Sequence, residues 1–67
     1  MNIEQRKKVI KDKLFELGET LNSWSTNNDL HVRIVNDLIE GRLTGSRGVP
    51  LENRRKLEET FGPIFED

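Results

Sequence analysis

Residues 20–42 read TLNSWSTNNDLHVRIVNDLIEGR, and the way this stretch divides sets the fold of the chain. Thr20 has the side chain of a helix N-cap, placed ahead of Leu21 and Trp24 in a short helix. Asn27-Asn28-Asp29 then interrupts that helix with three residues that tolerate positive φ better than other non-glycines, which makes a turn. A further helix is expected from His31 to Glu40, stopping at Gly41. On a helical projection Ile34, Val35 and Leu38 share one side, with Val32 and Ile39 at its edge. Arg33, Asn36, Asp37 and Glu40 share the opposite side, at spacings i, i+3, i+4 and i+7. Two short helices joined by a tight turn hold that polar side outward and rigid.

Outward from this centre the punctuation is equally regular. Ile3 to Leu17 reads as a helix on which Ile3, Ile10, Leu14 and Leu17 fall within about 60° of each other at 100° per residue. Lys7 projects onto the same stripe, so the first turns are expected to overhang the core, and Gly18 is a left-handed C-terminal cap. On the other side, Thr44 to Gly48 form a flexible, partly basic loop. Pro50 suits the first turn of a fourth helix, which runs to about Phe61 before Gly62-Pro63 ends it. Leu51, Leu57 and Phe61 lie roughly on one side of it, with Arg54 intruding. Ile64 and Phe65 are expected to fold back over a small core rather than to form a dimer contact. No alternating strand pattern competes. The expected fold is all-α, a compact bundle of four to five short helices containing a helix-turn-helix, as one domain over residues 1–67.

Composition narrows the function classes. The chain has 67 residues and no cysteine, which excludes disulfide staples and thiolate metal sites and fits a cytoplasmic setting. No apolar run approaches the ~20 residues that span a bilayer, and no signal peptide pattern opens the chain. The net charge of −1 conceals alternating blocks. Residues 1–13 carry +3 and residues 41–56 carry +4, whereas residues 14–40 and 57–67 each carry −4. Such asymmetry bears on partners more than the total does.

The stretch from Thr20 to Arg42 resembles the helix-turn-helix of lambda-repressor-like DNA-binding domains, and it aligns without a gap. That family has a small residue midway along the first helix, here Ser25. A left-handed turn residue follows, usually Gly and here Asp29, and then an apolar one, Leu30. Next come an N-cap, two buried aliphatics and a closing glycine, here His31, Val35, Leu38 and Gly41. Trp24 stands at a buried aliphatic position of the family. The segment GRLTGSRG after the helix is similar to small phage-encoded regulators of this type.

The resemblance implies that helix 31–40 enters the major groove of double-stranded DNA, with Val32, Arg33, Asn36 and Asp37 facing bases. Arg33 would pair with guanine, Asn36 with adenine and Asp37 with cytosine, and Val32 would touch a thymine methyl. Thr20 and Leu21, at a helix start, would meet a phosphate, and Arg42, Ser46 and Arg47 would hold the backbone. A homodimer on two half-sites is the expected arrangement for a repressor of this size. The acidic residues 14–40 and the acidic tail motivate an alternative, a non-enzymatic protein-interaction module on the same scaffold, such as an antirepressor.

Residue by residue, plainer roles stand beside these. The polar side of helix 31–40 also suits a solvated surface with an Arg33–Asp37 ion pair. Arg54-Arg55-Lys56 is balanced between a phosphate clamp and a solvated side, and Arg6, Lys7, Lys8, Lys11 and Lys13 spread around their helix as solvated charges. Catalysis is not expected: His31, the single histidine, has no Ser or Asp relay by spacing and no partner for a metal. Gly45 and Gly48 lack the Lys and Ser/Thr of a phosphate-cradling loop. Neither a cofactor nor a small-molecule ligand is expected.

Overall fold

A computed structural model describes residues 1–65, and four helices account for most of them: α1 (Ile3–Leu17), α2 (Leu21–Asn27), α3 (Val32–Ile39) and α4 (Gly48–Phe61). Among the described residues there is no strand and no fifth helix. Glu66 and Asp67, which complete the acidic C-terminal block, lie outside the described residues. The radius of gyration, 10.8 Å, matches the ~11 Å of a compact chain of this length. No helix of the described residues is long and apolar enough to cross a membrane.

Local chemistry sets the ends of α1 and α2. Asn2 Oδ1 accepts from the Gln5 amide at 2.8 Å while Gln5 Oε1 accepts from the Asn2 amide at 3.1 Å, a reciprocal cap. Thr20 and Ser23 repeat the arrangement at α2, with both bonds at 3.0 Å. Gly18 closes α1 at φ 69°, and Asp29 takes φ 58° in the turn before α3, as its position in the sequence predicts. The amide of Leu30 returns to the Ser25 carbonyl at 2.8 Å, which locks the turn against α2.

Ser25 is fully buried, and its hydroxyl donates to the Leu21 carbonyl at 2.8 Å, so no polar atom is stranded where α2 packs against α3. α3 is the central element, packing against all three other helices. It buries Val35, Leu38 and Ile39. The core is completed by Ile10, Leu14, Trp24, Leu57, Phe61 and Ile64, with the rings of Trp24 and Phe61 5.1 Å apart in a tilted contact. Ile64 therefore folds back into the core, as expected.

Three expectations about packing need correction. The α1 stripe falls short at its C-terminal end, where Leu17 remains 46% exposed, whereas the 40% exposure of Ile3 is that of the expected overhang. Val9 packs at the edge of the core instead. On α4 the buried series is Asn53, Leu57 and Phe61, four residues apart, which leaves Leu51 at the margin. Ile39, 3% exposed, belongs to the core and not to its edge, since α3 is packed against by all three other helices.

Candidate nucleic-acid interface

The outward side of α3 begins at His31, which caps the helix in extended geometry without a side-chain hydrogen bond. Val32, Arg33 and Asn36 are exposed there, while Asp37 and Glu40 are half-buried. Neither the Arg33 guanidinium nor the Asn36 amide has a hydrogen-bond or ion-pair partner among the described residues. One helical turn apart, they present a five-donor fork and a combined donor and acceptor. These are the groups suited to bidentate contacts with base edges.

The acidic residues on this side are held by bases from outside α3. Asp37 Oδ1 pairs with Arg42 Nε at 2.9 Å, and the Arg42 amide also returns to the Asp37 carbonyl at 2.8 Å. Glu40 pairs with Lys7 of α1. The i,i+4 pair of Arg33 with Asp37 is not formed; the chain reverses after Gly41, at φ 81°, and brings Arg42 to that carboxylate instead. The negative charges of Asp37 and Glu40 are thereby offset by neighbouring positive ones, whereas Asp29, exposed in the turn before α3, has no ion pair among the described residues. Two residues expected to touch DNA separately, Asp37 at bases and Arg42 at phosphate, are thus joined to each other.

The remaining expected contacts occupy the flanks. Arg47 is exposed at the start of α4 with no ion pair among the described residues, and Ser46 is exposed with its hydroxyl 3.2 Å from that of Thr44. Thr20 is exposed, but its hydroxyl oxygen already accepts the Ser23 amide, and the Leu21 side chain turns against the core. What α2 offers at its start is therefore backbone amide, not side chain. Among the described residues no group of three His, Cys, Asp or Glu side chains is arranged to hold a metal ion.

Two arginines depart from their expected places. Arg6, assigned to the solvated basic set, reaches across the bundle and donates to the carbonyls of Ile39 at 2.9 Å, Ile64 at 3.0 Å and Leu38 at 3.3 Å. It closes the C-terminal end of α3 and fastens the segment after α4. Its signal in the sequence is the four-residue spacing Arg6, Ile10, Leu14, which puts it on the buried stripe. Arg54 splits from Arg55 and Lys56: it leans on the loop, donating to the Thr44 carbonyl at 3.3 Å, while Arg55 stays exposed and Lys56 lies 3.6 Å from Glu59. A continuous clamp of three cations is not formed, because successive residues on a helix point about 100° apart.

Compared with family models, with curated proteins and with solved structures, the chain matches none. The functional reading therefore draws on the geometry of α3 and its flanks.

Proposed function

We propose that this protein is a sequence-specific DNA-binding transcriptional regulator, of the phage or mobile-element repressor type, that reads the major groove with α3. The observation that carries the proposal is the division of α3 into a buried side and an unpartnered one. Val35, Leu38 and Ile39 fix the helix from behind, while Arg33 and Asn36 stand exposed with no internal partner. A rigid helix with free forked donors is what base reading requires, because flexibility there would blur discrimination. Val32 adds an exposed apolar group at the leading end.

Arg42, Ser46 and Arg47 position the domain on the phosphate backbone, together with the backbone amide of Leu21, while the Thr20 amide is held by the Ser23 hydroxyl within the cap. Asp37 has a different part from direct base contact in this scheme. Its pairing with Arg42 supports a role in orienting that arginine. Two copies on half-sites ~34 Å apart would supply the affinity that one small domain lacks.

The test compares Arg33→Ala and Arg47→Ala across a library of duplexes selected by the unaltered protein. Arg33→Ala should relax preference at one base position, a loss of about 1–3 kcal/mol against the preferred base. Arg47→Ala should weaken all duplexes alike and reduce the slope of log affinity against log salt by about one unit. Equal, sequence-independent losses for both variants would remove Arg33 from base reading. Absence of duplex binding together with a stable protein complex would favour the interaction module.

A further inference from the structure

Beside the C-terminal end of α3, an open cleft of about 250 Å³ is lined by Arg6, Leu38, Gly41, Leu43, Thr44, Arg54 and Phe65. It gathers residues from α1, α3, the loop after it, α4 and the C-terminal segment. Two of the lining groups are cations on the same aromatic plate: the Cζ atoms of Arg6 and Arg54 lie 4.7 Å and 5.3 Å from the centroid of the Phe65 ring.

Neither guanidinium is saturated. Arg6 uses Nε and Nη1 on three backbone carbonyls, which are dipoles and not charges, and no carboxylate lies within ion-pair distance of it among the described residues. Arg54 uses Nη1 on the Thr44 carbonyl; its Nε is buried with no hydrogen-bond partner, although Glu58 Oε1 stands 3.3 Å away. No described residue supplies an acceptor to Nη2 of either side chain. The cleft thus has two forks with unused donors and, among the described residues, one nearby carboxylate, that of Glu58. Arg6 is half-buried with no counter-charge among the described residues, and Arg54 shares only Glu58, so a planar anion between the two forks answers both the charge and the geometry.

The loop keeps this arrangement rigid. Gly45 adopts φ 69°, and a Cβ there would come within 3.0 Å of Arg54 Cδ and of Leu38 Cδ2, so the loop backbone presses Arg54 into place. The rest of the wall is apolar: Leu38, Leu43 and the face of Phe65.

The geometry points to a binding site for a small organic carboxylate, its carboxyl group between Arg6 and Arg54 and a compact apolar body against Leu38, Leu43 and Phe65. The volume is below the ~300 Å³ at which drug-sized pockets begin, so the ligand is a small one. None of Arg33, Asn36, Arg42 or Arg47 lines the cleft, so the site is tested without DNA.

The full chain, labelled with ¹⁵N, is titrated at constant ionic strength with benzoate, acetate, inorganic phosphate and chloride, without DNA. Benzoate should give saturable shifts at the Gly41, Leu43 and Thr44 amides and the Arg6 and Arg54 Nε signals. Acetate and phosphate should bind more weakly for want of an apolar body. Arg54→Gln should weaken benzoate about tenfold or more, the loss of a charge-assisted partner, with Arg54→Lys falling between. Linear, unsaturated shifts that are alike for all four anions would overturn the site. So would saturable benzoate binding that centres on Arg33, Arg42 or Arg47, or that survives both substitutions. Should Arg54→Gln not fold, the Lys variant and the anion series on the unaltered chain decide the matter.

Discussion

At Asn53 a polar side chain sits where a helix of this bundle would ordinarily place an aliphatic one. The residue is 2% exposed, and its Nδ2 has no hydrogen-bond partner. A buried amide with unmet donors costs free energy that an apolar group of similar size does not. Asn53→Leu should therefore stabilise the protein by about 1 kcal/mol, read as a higher midpoint in urea with unchanged slope. Loss of stability in that variant would mean that the amide supports its surroundings in a way its missing partner conceals. Nothing in the sequence around Asn53 marks it, since polar residues occupy most positions of α4 and burial depends on what packs over each. Ser25 was legible by contrast through the resemblance alone, which implies a small residue midway along the first helix, four before the left-handed turn residue.

The helices themselves were largely readable, because each boundary is made by neighbours in the chain. Gly18, Gly41 and Gly62 all adopt positive φ at or just after helix ends, and Thr20 caps α2 with its own hydroxyl. What joins the helices was not readable. The C-terminal end of α3 is capped by Arg6, which lies 33 residues before Ile39 in the chain. No local rule places that contact; only the crossing of α1 over α3 does. Arg6→Met keeps the apolar stem but leaves the Ile39 and Ile64 carbonyls without a donor, while Leu38 keeps the Gly41 amide, and should cost about 2 kcal/mol. Lys8→Met, which breaks an exposed pair of Lys8 with Asp12, should change stability by no more than about 0.5 kcal/mol. Thermal unfolding of the two variants checks this, and similar melting points would show that the Arg6 bonds contribute little. The same reasoning explains the cleft, whose lining comes from five separate segments and leaves no contiguous trace in the sequence.

Across the whole molecule, charge is organised by tertiary contacts more than by blocks along the chain. The acidic stretch 14–40 looks hostile to DNA when read linearly, yet its two carboxylates on the α3 side are paired with Lys7 from the preceding basic block and Arg42 from the following one. Among the described residues Arg33 and Arg47 remain outward without an ion pair on that side and its flank, as does Asp29 in the turn before α3. Stability is expected to be modest, since a chain of this length buries only ~60% of its unfolded surface. Partner binding would then add measurably to it. The aromatic Phe15 is 88% exposed on α1, and nothing in the structure explains its position.

The central claim, that α3 and its flanks form a DNA-reading surface, is tested most directly by titrating the ¹⁵N-labelled protein with a mixed-sequence duplex at low salt. We expect amide shifts confined to residues 20–22, 31–37 and 42–47 that weaken as salt is added. No shifts at all, or shifts centred elsewhere on the bundle, would show that α3 does not read DNA.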